Sequence, residues 1–219
     1  MTNTIAELRS AELEQRARSL YSPQLPYHNF DHIEETLVSA DRIVKRCQQE
    51  NIRINIEVVY YALLFHDAGY QDDHIAKGHN TKEAYSAPLA DEVLMEFDVA
   101  DRDRSKTVAA ILATEKDANF ITVEQKAVRA ADLSGMADDY PDFLVKSLRL
   151  KREFEILNGN EISWPRWQTN SRDIINHYLT QDIRLTSYFY NESGESEFHA
   201  RVRNNLKRLL AEPTQPEIG

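Results

Sequence analysis

Chain breakers are scarce in this sequence. Six glycines and seven prolines are spread over 219 residues, so few positions interrupt a long helix, and alternating strands bounded by turns are hard to find. That scarcity predicts an all-α fold. The segment from Asn55 to His66, N-I-E-V-V-Y-Y-A-L-L-F-H, sharpens the expectation. It is apolar nearly all round, as a helix through the middle of a bundle is. Its β-branched residues make a strand the competing assignment, and its length and its A-L-L-F-H ending favour the helix.

Periodicity predicts the helices around it. Over 4–20, Ile5, Leu8, Leu13 and Leu20 fall near helical spacing before Pro23 and Pro26 break the run. From Asp31, the positions Ile33, Leu37, Ala40, Ile43, Val44 and Cys47 make a long amphipathic helix. Further helices are expected over 80–98, 103–115, 122–135, 140–157, 167–190 and 195–211. Neither a repeat nor a linker interrupts the pattern, so the expectation is a single-domain helical bundle over 1–211. The remainder, 212–219 (E-P-T-Q-P-E-I-G), reads as a frayed tail.

Composition narrows the function classes. Hydrophobic residues at 42% and charged residues at 28% suit a globular chain. No apolar run approaches the ~18 residues of a membrane span, and M-T-N-T-I-A-E-L lacks the basic and apolar regions of a signal peptide. A cytoplasmic protein is therefore expected, with no membrane partner. The lone Cys47 has no partner for an internal disulfide, which leaves it a packing role. A formal charge of −10, from 36 acidic and 26 basic residues, argues against general nucleic-acid binding and favours a small-molecule partner.

Four places carry chemistry. Only seven histidines occur, and Y-H-N-F-D-H at 27–32 sets His28 and His32 four apart, a spacing expected to put both imidazoles on one face. Asp67 directly follows A-L-L-F-H, at the end of a buried helix whose unpaired carbonyls repel a carboxylate. A bound cation would offset that cost. Asp132 follows two alanines on a mostly apolar face, where an unpaired carboxylate is expensive. Each residue alone has an ordinary explanation, as a hydrogen-bonded core histidine or a solvated aspartate.

Taken together, His32, His66-Asp67 and Asp132 form an H…HD…D pattern that resembles the HD superfamily of metal-dependent phosphohydrolases. Y-H-N-F-D-H is also similar to the Y-H-N-x-x-H signature of the cyclic-nucleotide phosphodiesterases, all-α enzymes of that superfamily. E-A-Y-S-A at 83–87 resembles an E-x-x-S-A motif of small bacterial HD proteins, and E-F-H-A-R-V-R-N-N-L resembles their ending. The matches span 27–206. The resemblance implies an HD-type helical bundle in which His32, His66, Asp67 and Asp132 bind a metal ion. It further implies His28 as proton donor and Asp67 at the reacting centre, with Glu83 orienting a ligand or the attacking water. For Glu83 the alternative is an ordinary glutamate at a helix N-terminus.

One departure bears on the metal count. Many HD enzymes hold two ions and carry a further histidine in a T-x-x-H context, where this chain reads T-E-K-D with Asp117. One divalent ion is the expectation, with a second, weaker one open to Asp117. His74 and His79 follow Asp67 so closely that they read as loop residues. Two imidazoles and two carboxylates suit Zn, Mn, Fe, Co or Ni, and Mg through oxygen ligands. Phosphate also wants a cation. Arg129, three residues before Asp132, and Lys116, beside T-E-K-D, are the substrate-binding candidates, set against a reading of each as a solvated surface charge.

S-W-P-R-W at 163–167 offers either a stacking surface for a nucleobase or aromatic core. The reaction expected is metal-assisted hydrolysis of a phosphate ester, of a nucleotide or another small molecule. Two other readings stand beside it: a catalytically inactive, metal-stabilised binding or signalling module, and a di-iron oxygenase, which needs more ligands than the sequence offers. Substrate and oligomeric state are not legible in the residues.

Overall fold

The computed structural model describes residues 4–192 and 194–216. Among them every regular element is helical, which settles the choice for 55–66 against a strand. The chain divides into two compact units, Met1–Asp132 and Leu133–Gly219.

In the first unit, α1 (Ile5–Leu8), α2 (Ala11–Arg18), α3 (Phe30–Gln49), α4 (Ile56–Phe65), α5 (Lys82–Glu96), α6 (Asp101–Leu112) and α7 (Val123–Asp132) succeed one another. Helix α4 is the axis. Its Val58, Val59, Ala62, Leu63, Leu64 and Phe65 are wholly buried, and it packs against α3, α5, α6 and α7. Asn55 fixes where it begins: the side chain accepts from the Val58 amide and donates to Asp103, and the backbone amide donates to Glu124. Helix α3 starts at an equally defined point, since the Asn29 carboxamide accepts from the amides of Asp31 and His32. Behind that cap, Ile33, Leu37, Ala40, Val44 and Cys47 are buried, and burial pushes the Cys47 thiol up to about 11.

The helix expected over 4–20 is instead two. Ser10 caps α2 by accepting from Leu13, and Arg9 between α1 and α2 is extended (φ −58°, ψ 127°) with its guanidinium on Glu14 and Glu34. A polar cap inside a continuous apolar period is enough to split a helix.

In the second unit a short 3-10 turn, Leu133–Ala137, takes up the end of the stretch expected as helix over 122–135. It is followed by α8 (Tyr140–Asn158), α9 (Trp164–Leu179) and α10 (Glu197–Ala211). Gly159 stops α8 at φ +66°, the left-handed conformation that favours glycine. The helix expected over 167–190 starts at Trp164 and ends at Leu179. Beyond it, Ile183, Leu185 and Phe189 are buried from a loop, and Arg184 at φ +43° lies where no right-handed helix can pass. Burial, not helical periodicity, explains the apolar pattern there.

The tryptophans of S-W-P-R-W are structural. Trp164 is buried with its indole N–H on the Glu212 carbonyl at 3.0 Å, and Trp167 donates to Ser147 at 3.0 Å. Glu212, assigned to the frayed tail, is thereby held, and it also accepts from Gln168 and from the Tyr140 hydroxyl. Residues 217–219 of that tail lie outside the described residues.

Candidate metal centre

The site is built where α4 runs out. His66 is its C-terminal cap residue and Asp67 lies in the turn that follows. His66 is 1% exposed, with Nδ1 2.9 Å from the Leu63 carbonyl oxygen. A carbonyl only accepts, so Nδ1 carries the proton and the Nε2 lone pair is left facing away from it. Several bonds pin the turn. The Tyr21 hydroxyl donates to the Leu64 carbonyl, the Gly69 amide to Leu20 and the Ser86 hydroxyl to Ala68, each at 2.9 Å. Gly69 sits at φ +72°, and a Cβ there would fall 2.6 Å from the Tyr85 ring. The E-A-Y-S-A stretch thus acts structurally through Tyr85 and Ser86, which close α5 onto this turn.

His66 Nε2 meets Asp67 Oδ2 at 3.1 Å and Asp132 Oδ1 at 3.5 Å. His32 Nε2, from the first turn of α3, meets the same two oxygens at 3.6 and 3.5 Å. His32, His66 and Asp132 offer ligand atoms that all lie within 4.8 Å of one another. The structure therefore brings together all four residues of the H…HD…D pattern. His32 Nε2, His66 Nε2 and Asp67 Oδ2 are buried without a hydrogen bond. Three buried polar atoms in one place, each costly to leave unsatisfied, point to a missing partner common to them.

Electrostatics agree with a cation. Burial alone would raise the Asp67 carboxyl, but His66, His28 and His32 outweigh it and hold it at about 2. Burial likewise opposes, and His32 and His66 reverse, the shift of Asp132, whose carboxyl lies far below the usual range. Burial would lower the His66 imidazole, whereas Asp67 and Asp132 push it well up. Two fixed carboxylates facing two imidazoles are balanced either by protons on the rings or by a metal ion between them. Ligand bonds of about 2.0–2.2 Å place neighbouring donors about 3.0–3.5 Å apart, close to the separations seen. The residues fit a divalent ion of borderline softness.

The other candidates divide. Glu83 lies in the first turn of α5, half-buried, and burial together with Asp67, Glu115 and Asp132 raises its carboxyl. Its place at a helix N-terminus is thus as expected, and its carboxyl feels the carboxylates of the cluster. His28 does not share a helical face with His32, because Asn29 caps α3 and leaves His28 outside it. Its ring centroid is nevertheless 5.8 Å from that of His32.

Arg129 is not available to a substrate. It is wholly buried, and its guanidinium donates to the Thr114 carbonyl and, at 3.0 Å, to the Lys116 carbonyl. Neither reading of Arg129 as a phosphate ligand or a solvated charge survives: it ties the end of α6 to α7. Lys116 and Asp117 are exposed in that connection. His74 and His79 lie in the loop before α5, as expected, with His79 against Tyr85 at 5.3 Å between centroids. Sequence reasoning missed Tyr27, Tyr70 and Lys82. Tyr27 packs on both His28 (4.8 Å) and His32 (4.7 Å), and Tyr70 stacks on His28 at 3.8 Å. For Tyr27 the available signal was its place in Y-H-N-F-D-H, for Tyr70 its position three residues after Asp67, and for Lys82 its place just before E-A-Y-S-A.

No family model matches the chain, and no curated protein matches it. Among solved structures, the phosphodiesterase domain of the Salpingoeca rosetta rhodopsin phosphodiesterase is similar over 91% of this chain and 79% of that one. The TM-score is 0.68 at 15% identity. The chain has the all-α fold of that domain, and within it a buried His/Asp cluster suited to a divalent ion.

Proposed function

We propose that the chain is a cytoplasmic, metal-dependent phosphohydrolase of the HD type that cleaves a phosphate ester of a nucleotide or another small molecule. One observation carries the reading: ligand atoms of His32, His66, Asp67 and Asp132 converge, three of them buried without a hydrogen bond. The fold, shared with a domain named for phosphodiesterase activity, supports the ester class. On this reading those four side chains hold one divalent ion. Bound there, the ion supplies a Lewis acid for a phosphoryl oxygen and brings the pKa of water toward about 7.

The chain's own groups do the rest. Glu83, its carboxyl raised by burial and by Asp67, is the better base for that shift and takes the proton of the attacking water. His28 holds the proton that the leaving oxygen needs. As the water oxygen bonds to phosphorus and the P–O bond to the leaving group breaks, the leaving oxygen takes a proton from His28, and the alcohol and the phosphate depart. Lys116, exposed beside the loop end, is the remaining candidate to meet substrate phosphate.

The test is turnover of a nucleotide and phosphate-ester panel by metal-loaded protein, with His28→Ala alongside. The expected result is hydrolysis of at least one ester and a loss of about 10²–10⁴ in kcat in His28→Ala, with the ion retained. A binding or signalling module predicts otherwise: no turnover across the panel, and a His28→Ala protein indistinguishable from the parent.

A further inference from the structure

His28 lies outside α3, so no helical geometry fixes its ring. Neighbours do. One face of the imidazole is stacked on Tyr70, centroids 3.8 Å apart and planes 12° from parallel. Tyr27 meets it edge-on at 4.8 Å and 77°. Tyr70 is itself clamped: the Lys82 ammonium lies 3.3 Å from its ring centroid and donates to its carbonyl at 2.7 Å. The Tyr70 amide donates to the Asp67 carbonyl at 3.1 Å. The turn that presents Asp67 therefore also carries the flat surface against which His28 rests.

We propose that Tyr70 is a positioning residue for His28, its ring setting the plane of the imidazole and Lys82 holding that ring in place. The proposal rests on the hydrolase reading and deepens it. Proton donation depends on a directed N–H within hydrogen-bond reach of the leaving oxygen. A stacked plate removes rotation of the imidazole about its bond to the chain and leaves one orientation, while making no bond to substrate. Because Tyr70 is joined to Asp67 through the backbone, the donor and the ion site are held in one frame.

The experiment uses the full, metal-loaded chain and two esters. p-Nitrophenyl phosphate has a leaving group that departs without a proton, and a nucleoside 5′-monophosphate has one that needs it. Tyr70→Leu keeps bulk and loses the flat face; Tyr70→Phe keeps the face and loses the hydroxyl. Tyr70→Leu is expected to lower kcat on the nucleotide by about 10- to 100-fold. KM, ion content and p-nitrophenyl turnover should stay within about twofold, and Tyr70→Phe should restore the parent rate.

An equal loss on both esters, or a Tyr70→Phe protein as slow as Tyr70→Leu, overturns the assignment. His28→Ala separates the two claims. If it shows no ester-selective loss, the proton-donor reading falls; if it does and Tyr70→Leu is unaffected, only the role of Tyr70 falls. No turnover of either ester by the parent protein overturns both. Should Tyr70→Leu not fold, Lys82→Met replaces it. A smaller loss confined to the nucleotide supports the clamp, and an unchanged or uniformly slowed enzyme refutes it.

Discussion

In the first unit His66 gives its Nδ1 proton to the Leu63 carbonyl and turns an unpartnered Nε2 toward two carboxylates. In the second unit His199, in the first turn of α10, shares a 2.6 Å hydrogen bond with the Ser196 hydroxyl that caps the same helix. Arg203 beside it is paired with Glu195 at 2.5 Å, and these residues line a cavity of about 360 Å³. Both places gather a histidine and further polar groups around it. They differ in how the polar atoms are satisfied. Around His199 the groups complete one another, so the cluster is explained by capping and ion pairing. Around His66 they are aimed at a common point and miss one another's hydrogens, which structure alone does not explain.

The largest effect expected from this contrast concerns metal. His66→Ala and Asp67→Ala each remove a proposed ligand, and elemental analysis of protein purified without chelator should find the ion in the parent and essentially none in either variant. An ion at about 100 times its Kd stabilises the folded state by about 2.7 kcal/mol. That increment, read as the shift in thermal midpoint on adding metal, should vanish in both variants and persist in His199→Ala. A full complement of ion in Asp67→Ala would break the comparison, because the orphaned oxygen would then have had no partner to lose.

Arg129 gives the next largest effect and sharpens the distinction between a polar group used for structure and one free for ligand. Arg129→Met takes this donor from the buried Thr114 carbonyl and from the part-buried Lys116 carbonyl. Each such loss costs about 1–3 kcal/mol, so urea denaturation should show a fall on the order of 2–4 kcal/mol. The folded variant should retain its ion and its KM. A raised KM with unchanged stability would return Arg129 to the substrate.

The sequence carried much of this, unevenly. Asp67 was legible because a carboxylate at the end of a buried helix violates a local rule, and Asp132 because it follows two buried alanines. The helices α4, α8 and α10 lie close to the ranges expected for them. What was not legible is tertiary. Nothing in spacing says that Arg129, on a helix of mixed character, will spend its charge on carbonyls from the preceding loop. Nor does it say that Tyr70 will lie between an imidazole from 28 and an ammonium from 82. The 180–190 stretch misled for a different reason: its apolar residues are buried from a loop, and only the backbone at Arg184 reveals that.

The smallest effect tests the other half of the contrast. If the polar cluster at α10 is a cap and nothing more, Ser196→Ala should cost about 1 kcal/mol and leave ion content and turnover unchanged. Burial first, and Arg203 second, hold the His199 imidazole below its usual value. The folded state therefore resists a proton that the unfolded chain takes up near pH 6.5. The stabilisation tied to a neutral His199 is fully present above that pH and is lost as pH falls through the lowered folded value. Urea midpoints measured from pH 7 down to pH 5 should fall more in the parent than in His199→Gln, which has no proton to gain there. Parallel pH profiles for the two proteins would mean that His199 is not held neutral by its surroundings. The second cluster would then also be short of a partner, and the difference between the two histidines would disappear.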